Sequence, residues 1–468
     1  MSKPDRTDET TLRAAALKIV ERLTDAGYRA LFVGGCVRDM LLNLPVKDID
    51  ISTNARPDDV ARLFPGAFGV GKSFGVMIAR LDGAAFEIAA FRKDGDYTDG
   101  RRPDCVEFCD EIEDAKRRDI TINALFYDPI KDTVLDYVNG QADLRARIIR
   151  AVGSPERRFS EDFLRMLRVV RFASRFGFTI EPATLNAVRS LADRIQYIAP
   201  ERAGLELLMC LDASQPKRVF EVLDETGLLT PLFPEIAKMK GVAQPPQFHH
   251  GLDVWEHTLK VLDELPNAMA DLGLPTPDPE LALAAALHDV GKPKTFDDTG
   301  DRIRFSRHAA LGETIADDIC KRLRLSNRAR ERIVSLVGQH MRFMDIGNMR
   351  GSTLRRFISQ AGFVDHLALH RADCLASHRK MENYEFALDA LKALRAAPAE
   401  TIRPLLTGAD LLALGFEQGP IIGKILQTIN EWRDDGMLKT RDEAIERVKN
   451  TDWTQMPEAG EDKETKDE

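Results

Sequence analysis

Cysteine is scarce in this chain: six residues in 468, at positions 36, 105, 109, 210, 320 and 374. They are scattered without metal-knuckle spacing, so reduced thiols in a cytoplasmic setting are expected rather than a disulfide framework. No apolar run approaches the length of a membrane span. The polar stretch Met1 to Thr11 lacks the apolar core of a signal peptide. No internal repeat of fixed period appears, and no motif marks an obligate protein partner. Histidine is absent before His249. Any catalysis in the first half therefore proceeds without imidazole as general base.

The rest of the composition is ordinary. Hydrophobic residues make up 44% and charged residues 30%, and a chain of 468 residues should hold two to four domains. The formal charge of −9 argues against nucleic-acid binding as a whole-surface property, but the local distribution differs. Residues 145–175 carry nine arginines, no lysine and three acidic groups. The tail from Glu458 to Glu468 is almost all charged or small and reads as disordered. Near residue 150 the texture changes. Short β-rich runs (Ala30–Val33, Asp50–Ser52, Val76–Arg80, Phe86–Phe91, Thr133–Tyr137) give way to helical periodicity. Gly241 to Phe248 reads as a linker, and Leu265 to Pro279, with four prolines, as a loop.

The densest chemistry lies at residues 33–50. Gly34-Gly35 forms a turn after an apolar run, Arg38 and Asp39 follow, and the chain reaches Asp48-Ile49-Asp50-Ile51. Strand residues two apart point the same way, so Asp48 and Asp50 project together while Ile49 and Ile51 turn to a core. Paired carboxylates beside a glycine turn suit Mg²⁺ carrying a nucleoside triphosphate, since Mg²⁺ takes oxygen ligands and the turn's N–H groups can approach phosphates. Taken alone, an Asp-x-Asp is usually a solvated turn and a Gly-Gly usually a bend. Glu87, alternating with apolar neighbours, is either a third carboxylate on the same side or an exposed strand residue.

The order and spacing of these elements resemble motif A of the nucleotidyltransferase superfamily, in the class II tRNA nucleotidyltransferase and bacterial poly(A) polymerase family. Arg117-Arg118-Asp119, with Asn123, matches that family's Arg-Arg-Asp element, which contacts ribose and phosphate. Glu161-Asp162-Phe163-Leu164-Arg165 matches its Glu-Asp-x-x-Arg motif. By that resemblance Asp162 and Arg165 select incoming CTP or ATP without a template, on a helix whose Arg165, Arg168, Arg171 and Arg175 share a face. The bland alternative is an amphipathic helix with a charged exposed side. Arg202, with Glu206, resembles the next family motif. Asn43 stands where the family often has glycine. The segment 71–76, Gly-Lys-Ser-Phe-Gly-Val, lacks the paired basic residues before Phe that poly(A) polymerases carry, which favours the tRNA branch.

All nine histidines lie between 249 and 378. His257, His288, Asp289 and Asp373 resemble the minimal site of the HD metal-dependent phosphohydrolase superfamily, and His308 and His340 could complete a second metal position. Helices are expected over Val254–Glu264, Glu280–Asp289, His308–Leu323, Arg328–Met341 and Asp365–Leu375. Imidazole with carboxylate suits Mn²⁺, Ni²⁺, Fe²⁺ or Zn²⁺. The rival reading is a degenerate HD fold kept for packing.

The expectation is an α/β, polymerase β-like nucleotidyltransferase head at 25–150 followed by an all-α neck and body at 151–240. An all-α HD domain at 246–390, a helical region at 391–455 and a disordered tail at 456–468 complete the chain. The head should carry catalytic Asp48, Asp50 and Glu87 with Mg²⁺. Gly34, Gly35, Arg38, Arg117, Arg118, Asp119, Asn123, Asp162, Arg165, Arg168 and Arg171 should bind nucleotide. The implied activity is building or repairing the CCA end of tRNA from CTP and ATP. A poly(A) polymerase or A-adding enzyme is the alternative, and an HD phosphohydrolase with an RNA-binding head a second one. The expected setting is cytoplasmic, with no membrane association.

Overall fold

The computed structural model describes residues 8–71, 75–95, 106–212, 215–246, 251–300, 302–396 and 404–453. The Lys72–Phe74 stretch, the end of the expected linker at 247–248, Cys105, His249 and the acidic tail lie outside the described residues.

Helix α1 (Glu9–Asp25) buries Leu12, Ala15, Ala16, Ile19, Val20 and Leu23 at three- and four-residue spacing, and packs on strands β1 (Ala30–Val33) and β5 (Ala84–Ala90). Between these strands come α2 (Gly35–Leu41), β2 (Asp50–Thr53), α3 (Pro57–Leu63), β3 (Phe68–Gly71) and β4 (Val76–Leu81). After β5 follow β6 (Arg92–Asp94), β7 (Val106–Phe108), α4 (Glu111–Lys116), β8 (Leu125–Asp128), β9 (Thr133–Asp136) and α5 (Gly140–Ala146). The described residues form a seven-stranded sheet in the order β3-β4-β5-β2-β1-β8-β9. Strand β2 runs antiparallel to β1, with Val33 opposite Asp50, and parallel to β5, with Ile51 opposite Ile88. Strand β8 went unforeseen because all four of its residues are buried, which erases the polar–apolar alternation that marks a half-exposed strand.

Beyond residue 150 the described residues are mostly helical, with a short parallel pair of strands, Ile148–Ile149 with Thr179–Ile180, at the start of this region. Helices α6 (Pro155–Glu161), α7 (Leu164–Phe176), α8 (Pro182–Leu191), α9 (Pro200–Leu211) and α10 (Pro216–Glu225) form the middle region. Then come α11 (Val254–Asp271), α12 (Pro279–Leu287), α13 (His308–Arg322), α14 (Asn327–Gln339), α15 (Gly351–Ser359), α16 (Phe363–Ala376) and α17 (Glu382–Ala396). Helix α11 runs on through Pro266, where a loop was expected. A proline there removes one backbone hydrogen bond, and burial of Leu265, Ala268 and Met269 holds the last turns in place. The architecture is thus an α/β head followed by an all-α remainder. One hydrophobic core runs continuously from Leu12 in α1 to Ala376 in α16. Smaller clusters form around Phe343, Phe357 and Phe363 and, towards the C-terminus, around Leu406, Ile425 and Trp453. No helix among the described residues is long and apolar enough to cross a membrane.

Candidate active site and metal centre

Gly34 turns the chain from β1 into α2 with φ +76°, a conformation L side chains rarely adopt. A Cβ there would stand 3.3 Å from the Arg118 guanidinium, so the glycine also lets that cation close on the turn. Asp48 precedes β2 and Asp50 opens it. Both are exposed, while Ile49 and Ile51 are buried, so the carboxylates share the open side. Asn43, in the turn before them, takes φ +53°, the left-handed conformation that glycine or asparagine tolerates best. Glu87 immediately precedes the Ile88 that pairs with Ile51 in the parallel register, which sets it beside Asp50. Asp50 is pushed up to about 6 by desolvation on the concave floor, then by the charges of Glu87 and Asp48, with Arg118 opposing. Three oxygen donors that repel one another are what a divalent cation neutralises.

The carboxylates Asp48 and Asp50 lie in a cleft of ≈570 Å³ also lined by Gly34, Gly35, Arg118, Arg168, Arg171 and Arg175. Glu87 and Arg117 open instead onto an adjoining ≈200 Å³ pocket that shares Asp50 and Arg118 with the cleft. Arg38 is buried among the rings of Phe172 and Phe176, donates to Asn123 Oδ1, and donates through Nε to Asp39 at 2.8 Å. Asp119 accepts from Arg168 Nε at 2.6 Å. Burial would raise its carboxyl, but Arg168 holds it down at about 2. Arg117 and Arg118 both clamp the fully buried Asp114, at 2.7 and 3.0 Å. Asp114 was not singled out from sequence. A carboxylate three and four residues before an Arg-Arg pair on a helix was the available signal.

The helix expected to carry both Asp162 and Arg165 is broken between them. Asp162 closes α6 in an extended conformation, φ −152° and ψ 107°, and α7 restarts at Leu164. Arg165 donates to Glu161 Oε2 at 2.6 Å and to the Arg158 carbonyl at 3.0 Å. Asp162 instead receives both Nη groups of Arg202 in α9, at 2.7 and 3.2 Å. Arg171 pairs at 3.2 Å with Glu206, one turn further along α9.

The histidines converge elsewhere. His257 on α11 faces Asp373 on α16 at 3.1 Å and Asp289 at 3.7 Å, and His288 faces Asp289 at 3.1 Å. His308 and His340 approach the other oxygen of Asp289 at 3.5 and 3.7 Å. Two buried triads, His257–His288–Asp289 and Asp289–His308–His340, each bring their ligand atoms within 4.8 Å of one another and share Asp289. His288, His308 and His340 direct Nδ1 at the carbonyls of Ala285, Phe305 and Val337, at 2.7 to 2.9 Å. Those contacts fix the rings so that Nε2 faces inward. Burial pushes His340 down to about 3 and lowers His257 and His308. Burial would raise Asp289, yet His288 and Lys292 hold it well below the usual carboxylate range. His288 Nε2 and Asp289 Oδ2 lie 3.1 Å apart and both are buried, so imidazole nitrogen and carboxylate oxygen converge as a divalent cation's ligands do. Lys292, not foreseen, reaches Asp289 Oδ2 at 2.7 Å and donates to Gln244 Oε1 at 2.7 Å. Its position three residues after Asp289, across the turn that links two helices, was the legible clue.

Comparison with known proteins agrees with this layout. Residues 30–150 match the poly A polymerase head domain, 177–240 the probable RNA and SrmB-binding site of polymerase A, and 249–380 the HD domain. Fold and sites together define a nucleotidyltransferase head joined to an HD-type helical domain, both of kinds that depend on divalent metal. The CCA-adding enzyme of Geobacillus kaustophilus (strain HTA426) is 36% identical over 298 residues, 60% of this chain and 72% of that protein. That of Geobacillus stearothermophilus is 44% identical over 214 residues, 46% of this chain and 53% of its own length. With the latter and several similar relatives, the chain spans about half of the relative's length. The crystal structure of the Bacillus stearothermophilus CCA-adding enzyme in complex with CTP superposes with TM-score 0.61 at 25% identity, covering 96% of this chain and 98% of that one. The chain belongs to the CCA-adding enzyme family.

Proposed function

We propose that this protein is a template-independent RNA 3′-terminal nucleotidyltransferase that builds or repairs the CCA end of tRNA from CTP and ATP in the cytoplasm. The observation that carries this reading is the facing of Asp48 and Asp50 by Arg118, Arg168, Arg171 and Arg175 across one cleft. The arginines suit a triphosphate, because guanidinium forks bind phosphate oxygens with charge-assisted hydrogen bonds. Asp48, Asp50 and Glu87 would hold Mg²⁺, which when bound would supply Lewis-acid activation of a 3′-hydroxyl and charge neutralisation at the α-phosphate. Asp119 and Asn123, fixed by Arg168 and Arg38, offer oxygens to a sugar hydroxyl. Asp162, its carboxylate anchored by Arg202, and Arg165, oriented by Glu161, present acceptor and donor edges to the incoming base. Relatives named CCA-adding enzymes, and the relative solved with CTP, support CCA addition over poly(A) synthesis.

The five-residue cluster that shares Asp289, with Asp373 against His257, favours a second activity, a transition-metal phosphohydrolase, in the same chain. Incubating the protein with tRNA lacking its 3′ end and CTP alone, ATP alone or both tests the first reading. Addition of C from CTP and of a terminal A only when both are present is expected. Untemplated runs of A from ATP alone overturn it in favour of poly(A) polymerase.

A further inference from the structure

Helix α9 has two committed faces. On one side Arg202 grips Asp162 at 2.7 Å, Glu206 meets Arg171 at 3.2 Å, and Met209 lines the cleft. These positions recur at four and three residues and so share a stripe. About 160 to 200° around the helix lie Gly204 and Leu211, which close an apolar seam with Leu283 of α12 and with Leu323 at the end of α13. The seam keeps a void of only ≈10 Å³. At Gly204 the fit is absolute: a Cβ would stand 2.3 Å from the Leu323 carbonyl oxygen, which is backbone and cannot rotate away. The helix that anchors the base-facing carboxylate is therefore seated directly on the histidine-bearing domain.

We propose that this seam, with Gly204 as a positioning residue, sets the discrimination between CTP and ATP, so that the HD domain acts as the brace of the nucleotide-selecting wall. The inference rests on the proposed role of Asp162 and Arg202. Displacing α9 along the seam moves the Arg202 guanidinium and hence the Asp162 carboxylate. Of the cleft arginines, Arg118 and Arg168 are held by Asp114 and Asp119 on other elements, and only Arg171 is tied to α9, through Glu206. Most of the binding energy common to both nucleotides is thus kept while the base-specific part changes. A shift of about 1 Å in a charge-assisted contact changes selectivity by about tenfold.

The test measures calorimetric Kd for CTP and for ATP, and incorporation of each on tRNA lacking its end. The proteins are wild type, Gly204→Ala, Leu283→Ala and a control, Leu391→Ala. Leu283 contributes to the seam from the HD side without touching α9's polar face, and keeps the test open if Gly204→Ala fails to fold. Leu391 belongs to a separate buried cluster and samples the cost of a core cavity alone. The expected result is a change of about tenfold in the CTP/ATP Kd ratio in both seam variants, with the control at the wild-type ratio. An unchanged ratio in the seam variants, equal weakening of both nucleotides, or the same change in the control overturns the proposal. Wild-type protein that binds nucleotides but incorporates neither refutes the proposed function, and the Kd ratios still decide the seam.

Discussion

Asp50 illustrates how one residue trades stability for chemistry. Its carboxyl, raised to about 6 in the fold from 3.8 by desolvation and the neighbouring Glu87 and Asp48, binds a proton that the unfolded chain has already released between those values. Stability therefore falls as pH rises through that window, and the loss is complete above about 6. Asp50→Asn should melt at a higher temperature than wild type at pH 7.5 in chelator, with the advantage shrinking below pH 4 and also when Mg²⁺ is added. A thermal melt series over pH, with and without Mg²⁺, measures this, and a lower melt for Asp50→Asn at pH 7.5 contradicts it. Asp48→Ala and Asp50→Ala should each abolish nucleotide addition yet leave tRNA binding nearly intact, because arginine–phosphate contacts dominate RNA affinity. Filter binding alongside the addition assay separates the two effects.

At the scale of the element, the break between α6 and α7 redistributes the base-reading pair. Asp162 depends on Arg202 of α9, and Arg165 on Glu161 of α6. Both Arg165→Ala and Arg202→Ala should then shift the CTP/ATP preference more than they weaken triphosphate binding. Each lost charge-assisted bond is worth about 1.5–3 kcal/mol, roughly tenfold to hundredfold in discrimination. Steady-state kinetics with all four nucleotides provides the check. Uniform loss across the four would mark either arginine as a phosphate contact or a packing residue.

Across the whole molecule, the two candidate sites use different donors. Oxygen ligands and arginines make up the head cleft, whereas imidazoles around a shared carboxylate make up the helical site. His288→Ala combined with Asp289→Ala should remove any transition-metal-stimulated phosphatase or phosphodiesterase activity while Mg²⁺-dependent nucleotide addition persists. The continuous core from α1 to α16 makes a melt essential, since a destabilised helical domain can unseat α9. Loss of addition at an unchanged melting temperature would show that the two sites act as one.

Chemistry carried by local order was legible in the chain itself. Strand alternation put Asp48 and Asp50 on one side, and the resemblance of the ordered His and Asp residues to the HD site marked the second half as a separate ligand set. The α/β-then-α architecture followed from the same periodicities. Other features are products of packing between distant segments. Glu87 sits beside Asp50 only because β5 pairs in parallel with β2, a register that single-strand alternation leaves open. Asp162 and Arg165 read as neighbours one turn apart, yet Asp162 is bound by Arg202 of the distant α9 while Arg165 turns to Glu161 of α6. Asp289 bridges two triads because four helices and the turns that follow them deliver histidines to one buried point. The seating of α9 on Leu323 is likewise invisible in sequence, where Gly204 is one glycine among 31. Short-range pattern fixes which groups a segment can offer, and long-range packing decides which groups meet.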